Sequence, residues 1–248
     1  MREIAGMRGL VALTAAVLSV VLLLGPGQVH ATSIQFDFTG TPSCGSCNPL
    51  PVSVAATFVT LTGEVQISLV NNTVNPTSVI QNLSDLVFVL STGQTSGTLS
   101  PSSGSSGIAR TVASNGTFTD GGTVAAGWVP SSTGTGLKLD DLAAGGAGPQ
   151  HTLIGLPNGS NVYSNANGSI AGNGPHNPFL FGPVTFDLLV PGVTADSSIS
   201  SVTFSFGTDS TDLGLAPGAP VPEPTTLLLF GTTAVALGAA ARKKLHLK

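Results

Sequence analysis

The chain has 248 residues with 32 glycines and 17 prolines, and only 8% of its residues are charged. Its formal net charge is −4, but residues 32–220 hold ten acidic residues against two basic ones, Arg110 and Lys138, a net charge of about −8. An acidic surface repels a phosphate backbone, which excludes nucleic acid as a partner. The roughly 190 residues of this central part are enough for one domain with a sizeable core.

The first segment, residues 1–31, has the three parts of a secretory signal peptide. Arg2 and Arg8 give it a basic start, residues 10–24 are an apolar stretch, and Val29 and Ala31 place small side chains before a cleavage site. We therefore expect export through the secretion translocon and cleavage by signal peptidase after Ala31. An uncleaved membrane anchor is the alternative interpretation.

Alternating apolar side chains predict a first strand at residues 34–39, and a loop with both cysteines follows it. Cys44 and Cys47 have the spacing of a redox site, which needs a helix that begins at the first cysteine. Pro49 and Pro51 block such a helix, and zinc would need two further ligands. Outside the cytoplasm, a local disulfide between Cys44 and Cys47 is the favoured interpretation.

Short strands continue along residues 32–220, and no stretch shows a helical pattern of apolar residues. The stronger strand predictions are 54–61, 64–70, 86–90, 184–190 and 199–206, and the weaker ones are 108–112, 117–119 and 124–129. We expect loops at 92–107, 131–136 and 145–178 and a helical turn at 137–144. This pattern predicts an all-β fold, an antiparallel β-sandwich with long Gly/Ser/Asn loops, and a β-solenoid is the alternative.

Few residues of the central part suggest chemistry. His151 and His176 lie in Gly/Pro/Asn-rich loops, where we expect solvated side chains, and only folding could bring them to the adjacent Asp140 and Asp141. Phenylalanines are expected in the core, whereas Trp128, beside Gly127 and Pro130, is expected to be exposed.

A metal or cofactor finds little support in the same residues. Asp209 and Asp212 are weak calcium candidates, because loop oxygens suit a hard cation, although their spacing does not match an EF-hand. We predict no catalytic residue and no cofactor.

The last segment, residues 221–248, has the pattern of a membrane element. Residues 225–241 contain no charge and no proline, and 17 helical residues would span about 25 Å of a hydrocarbon core of about 30 Å. Arg242, Lys243 and Lys244 follow as a basic stop, which predicts a transmembrane helix with its C-terminus in the cytoplasm. A buried core helix is the alternative, although such a helix usually keeps a polar face.

Pro222, Glu223 and Pro224 stand directly before this helix, where two prolines favour an extended, exposed backbone. The order of Pro-Glu-Pro, apolar helix and basic end resembles the PEP-CTERM sorting signal of bacteria that make extracellular polysaccharide. The resemblance implies processing by an exosortase, an integral-membrane cysteine transpeptidase, with Pro222, Glu223 and Pro224 as recognition residues. It covers about 28 residues and implies no chemistry for residues 32–220.

Together these features predict an exported bacterial surface or extracellular-matrix protein that an exosortase sorts and cleaves. We expect no enzymatic activity but a structural or adhesive role linked to extracellular polysaccharide. The protein would sit transiently in the inner membrane, with its body in the periplasm, before it reaches the cell surface. A secreted carbohydrate- or ice-binding module is the first alternative, and a secreted hydrolase is the second.

Overall fold

The computed structural model describes residues 33–142, 151–209 and 213–221. The predicted signal peptide, the Pro222–Glu223–Pro224 tripeptide, the tail helix and its basic stop lie outside these ranges. Within the ranges, no helix combines the length and the apolar character that a membrane span requires.

The described strands are short, and their bounds follow in chain order. They are β1 Ser33–Gly40, β2 Val52–Leu61, β3 Glu64–Asn71, β4 Leu83–Leu90, β5 Thr98–Leu99, β6 Ser105–Val112, β7 Phe118–Val124, β8 Val129–Ser132, β9 Leu137–Asp140, β10 Phe179–Leu189, β11 Ile199–Phe206, β12 Gly214–Pro217 and β13 Ala219–Val221. One turn of 3-10 helix, Val79–Gln81, precedes β4.

The strands form two antiparallel sheets. The first has the order β13-β1-β2-β3-β10-β6-β7, with β5 paired to β10 as an eighth strand. The second has the order β12-β11-β4-β9-β8. The predicted all-β, antiparallel architecture is therefore confirmed for the described residues.

Strands β2 and β3 show how the sequence pattern produces the sheet. Every second residue of each strand is buried, and the two strands pair in register around Thr62 and Gly63. Gly63 has φ of +79°, a left-handed conformation that glycine adopts without steric cost. Such a tight turn fixes the register, which keeps the buried apolar side chains of both strands on one face.

The main core lies between the buried faces of the two sheets. Phe58 of the first sheet and Phe88 of the second meet with ring centroids 5.3 Å apart, a separation typical of favourable aromatic pairs. Trp128 packs against Phe186 at 5.5 Å and is only 1% exposed, so the predicted exposure of Trp128 is wrong. Its indole N–H donates to the carbonyl oxygen of His151 at 3.0 Å, which satisfies its polar atom inside the core.

Two local predictions also fail. Residues 137–140 form strand β9 instead of a helical turn, because Leu137 and Leu139 alternate with polar residues and enter the core beside β4. The strand predicted at 124–129 does not form, because Val124 ends β7 and β8 begins only at Val129, where it pairs with β9. Strands β8 and β9 have four residues each, too few for the alternation to be distinguished from a turn.

Residues 151–178 contain turns and isolated bridges, as expected, but they are not solvated throughout. Their apolar side chains form a second, smaller core with Val112 of β6 and Phe179 of β10. The members that this segment contributes are Ile154, Tyr163, Ala166 and Ile170. The long loop therefore packs as a cap on one part of the first sheet.

Candidate functional site

The chain reaches its sorting segment along the neighbouring edges of both sheets. β12 forms the edge of the second sheet beside β11, and β13 forms the edge of the first sheet beside β1. Gly218 alone connects them. A Cβ atom at Gly218 would lie 3.0 Å from a ring carbon of Phe204 and 3.2 Å from the Cβ atom of Phe36, so this crossing fits glycine closely.

The last described strand ends directly before the predicted recognition residues. Val221 is the final residue of β13 and pairs with Gln35 of β1. Because the two strands are antiparallel, the start of β1 and the end of β13 lie at the same end of the sheet edge. The beginning of the folded body and its exit toward the tail are therefore neighbours.

The outward face of the first sheet carries a row of polar side chains across five strands. The register aligns Gln35, Thr57, Ser68, Thr185 and Ser106 in that order. The hydroxyls of Ser106 and Thr185 lie 3.1 Å apart. Neighbouring positions in such a row repeat at the strand spacing of about 4.8 Å.

An open groove of about 310 Å³ follows part of this row. It is lined by Thr57, Val59, Gln66, Ile67, Ser68, Thr185 and Asp187. Hydroxyl, amide and carboxylate groups supply both donors and acceptors here, the complement that a polyhydroxylated ligand requires.

A buried acidic cluster lies between β4 and β9. Asp85 has no exposed surface and pairs in register with Asp140. The ammonium of Lys138 lies 3.2 Å from Oδ2 of Asp85 and 2.9 Å from Oδ2 of Asp140. One cation therefore serves two carboxyl groups, a pattern that favours protonation of one of them.

Asp85 and Asp140 lie in different environments, which shift their pKa values in opposite directions. Burial raises the pKa of Asp85 from its ordinary value of 3.8 to about 7, although the charge of Lys138 opposes this. Burial also acts to raise the pKa of Asp140, but hydrogen bonds from Lys138, Asp85 and the N–H of Leu142 prevail, and its pKa is lowered. Below pH 7, Asp85 is therefore mostly protonated, a form that a hydrogen bond to the carboxylate of Asp140 favours.

The same region brings together two of the predicted residues. Nδ1 of His176 lies 3.6 Å from Oδ2 of Asp141, and both side chains are buried, so the predicted solvation of His176 is wrong. The N–H of Asp141 donates to Oδ1 of Asp85 at 3.3 Å. His151 contributes its carbonyl oxygen to Trp128.

The acidic cluster has the pair of carboxyl groups that acid–base chemistry uses. Asp85 is fully enclosed, however, and a substrate could reach it only by displacing packed chain. We therefore interpret the cluster as a structural element. The expectation that the protein is not an enzyme stays a prediction.

Arg110 forms a second buried polar network, which sequence reasoning did not single out. Its guanidinium donates to both carboxylate oxygens of Asp120 at 2.6 and 2.7 Å and to the hydroxyl of Tyr163 at 3.0 Å. It also stacks between the rings of Phe118 and Phe181, 3.8 and 3.2 Å from their centroids. Paired and stacked in this way, Arg110 fastens the segment 151–178 to the first sheet.

The remaining predicted residues are placed as follows. Cys44 and Cys47 form a disulfide, as predicted, with their Cα atoms 5.7 Å apart. Asp209 lines an open groove of about 190 Å³, whereas Asp212 is outside the described residues. Within the described ranges, no three His, Cys, Asp or Glu side chains are grouped to hold a metal ion. The calcium hypothesis for Asp209 and Asp212 stays a prediction.

Comparison with known proteins identifies a sorting motif in the C-terminal segment. The family model of the PEP-CTERM protein-sorting motif matches residues 220–244. The match includes the Pro222–Glu223–Pro224 tripeptide and the basic residues Arg242, Lys243 and Lys244. No curated protein and no solved structure matches the chain.

This motif confirms the predicted resemblance. It marks proteins that are exported to the cell envelope or surface, and it implies an exosortase as the processing partner. The match begins inside β13, so the motif adjoins the folded body directly. The chain is therefore a PEP-CTERM domain-containing protein, with the sorting motif at residues 220–244.

Proposed function

We propose that this chain is an exported surface or extracellular-matrix protein that an exosortase sorts and cleaves at its C-terminal motif. Its body has a structural or adhesive role at extracellular polysaccharide and is not an enzyme. The observation that carries the proposal is the motif match at residues 220–244, directly behind a folded all-β body. The predicted signal peptide at residues 1–31 supplies the matching export signal.

Processing is tested in a host cell that contains an exosortase. Replacement of Pro222, Glu223 and Pro224 by alanine should leave the full-length chain in the inner membrane, because the enzyme loses its recognition residues. Pro217→Ala is the matched control, since Pro217 is exposed and lies before the matched motif. Equal processing of the triple variant and the wild type would refute sorting by this motif.

The role at polysaccharide is supported by the polar row on the first sheet. A sandwich face that presents hydroxyls on adjacent strands offers many weak, repeated hydrogen bonds to a sugar polymer, which suits adhesion by many copies. The same regular spacing favours a carbohydrate- or ice-binding module as the second candidate function.

The two candidates for this face are separated by binding measurements. We expect the secreted body to bind polysaccharide purified from the producing cells, and Thr57→Val with Thr185→Val to weaken that binding at least about tenfold through lost hydrogen bonds. Thr39→Val is the control, because Thr39 is exposed on β1 outside the groove. Thermal hysteresis without polysaccharide binding would favour an ice-binding module. The absence of both signals would exclude both candidate functions of this face.

A further inference from the structure

We propose that β13 is a latch, and that it must detach from β1 before the exosortase can cleave the motif. The inference rests on the proposed function, because it concerns the same processing step. It starts from an unequal attachment of the two last strands, which follow one another along the neighbouring sheet edges.

The strand before the latch is held firmly. β12 pairs with β11 over four residues, and Ala216 is fully buried. Leu215 also exchanges two backbone hydrogen bonds with Ser43, with N–O distances of 2.8 and 2.7 Å. The N–H of Gly218 then donates to the carbonyl oxygen of Val202 at 2.9 Å. The chain is therefore anchored as far as Gly218.

The latch itself is held weakly. β13 has three residues, and all three are exposed. Its middle residue, Pro220, has no N–H to donate to β1. A short edge strand with few buried contacts belongs to the parts of a protein that open locally at low free energy. We infer that β13 exchanges between a docked and a detached state while β12 stays in place.

Detachment changes the reach of the motif. With β13 docked, Val221 is held beside the start of β1, and the recognition tripeptide follows Val221 directly in the sequence. With β13 detached, six residues from Ala219 to Pro224 extend from the anchor at Gly218, about 20 Å at the extended spacing. An enzyme that binds its substrate as an extended strand needs free backbone on the N-terminal side of the motif. Only the detached state supplies it.

A disulfide across the latch tests this dependence. Gln35 and Val221 are register partners, so Gln35→Cys with Val221→Cys should lock the latch in the docked state. Thr39→Cys with Ser53→Cys is the matched control, because these partners join β1 to β2, their hydroxyl oxygens lie 3.0 Å apart, and these strands need not separate. Peptide mapping should verify both engineered bonds and the native Cys44–Cys47 bond.

The readout is the rate at which the full-length chain is converted to its processed form in cells with an exosortase. We expect the latch disulfide to slow conversion at least about tenfold, because it removes the open state. The control disulfide should leave the rate close to that of the wild type. Inserting Gly-Ser-Gly-Ser between Val221 and Pro222 of the locked variant should restore conversion, since it adds about 13 Å of reach.

Two results would overturn the latch while the proposed function stands. One is a locked variant that is processed as fast as the control disulfide variant. The other is a locked variant that stays slow after the insertion, since reach would then not be limiting. An unprocessed wild type would instead refute sorting itself, which keeps the two failures distinct.

Discussion

Asp85→Asn should remove the pH dependence of stability that the titration of Asp85 causes. The pKa of Asp85 is about 7 in the folded protein and near its ordinary value of 3.8 when the chain is unfolded. The folded state therefore holds a proton that the unfolded state has lost between these values. The stabilisation is complete below pH 4 and is lost as the pH rises through 7.

The structure sets the size of the effect. A pKa difference of about 3, at about 1.36 kcal/mol per pKa unit, corresponds to at most about 4 kcal/mol at pH 8. Asparagine cannot ionise, and its amide can still donate to Asp140, as the protonated Asp85 does. Lys138 keeps its ion pair with Asp140 at 2.9 Å. Asp85→Asn should thus be close to the wild type at pH 4, about 2 kcal/mol more stable at pH 5 and up to about 4 kcal/mol more stable at pH 8.

Urea unfolding of residues 32–221 at pH 5, 6, 7 and 8 measures this difference. The difference between variant and wild type isolates the contribution of Asp85, because every other residue is the same in both proteins. An increase of 4 kcal/mol would also raise the melting temperature by roughly 10 °C in a domain of this size. A difference that stays flat from pH 5 to pH 8 would refute the assigned burial and proton sharing.

Three further predictions concern packing. Arg110→Met should lower the free energy of unfolding by about 1–2 kcal/mol, because it removes the hydrogen bonds from the guanidinium to Asp120 and Tyr163, although Asp120 is 39% exposed and can be hydrated, and an unchanged free energy of unfolding in urea melts would contradict the network. Phe88→Ala should cost about 3–5 kcal/mol by the same assay, since Phe88 fills the space between the sheets, and a cost typical of a surface site would contradict that core. Trp128 is the sole tryptophan, so fluorescence should show blue-shifted emission protected from acrylamide, whereas emission typical of water would place it outside.

Although β4 is predicted from a continuous apolar run, the clearest strand predictions come from five or more alternating residues. β2, β3 and β11 have this pattern, and each appears close to its predicted bounds. Shorter strands carry too few residues for a period to be visible. β9 and β13 form because a neighbouring strand pairs with them, and their own sequences do not reveal which strand that is.

The candidate sites divide in the same way. The sorting motif could be recognised because its parts lie in order along the chain, and the Cys44–Cys47 bond because the pair is local. The burial of Asp85 and the stacking of Arg110 depend on strands that are distant in sequence. The polar row from Gln35 to Ser106 likewise exists only through the register of five strands.

The central claim is that the tail is removed after the body has been exported. Intact-mass spectrometry of the secreted or surface-bound protein tests it most directly. We expect the mass of a chain that begins at Thr32, lacks residues 225–248 and contains the Cys44–Cys47 disulfide. A mature protein that still ends at Lys248, in cells with an active exosortase, would contradict the account.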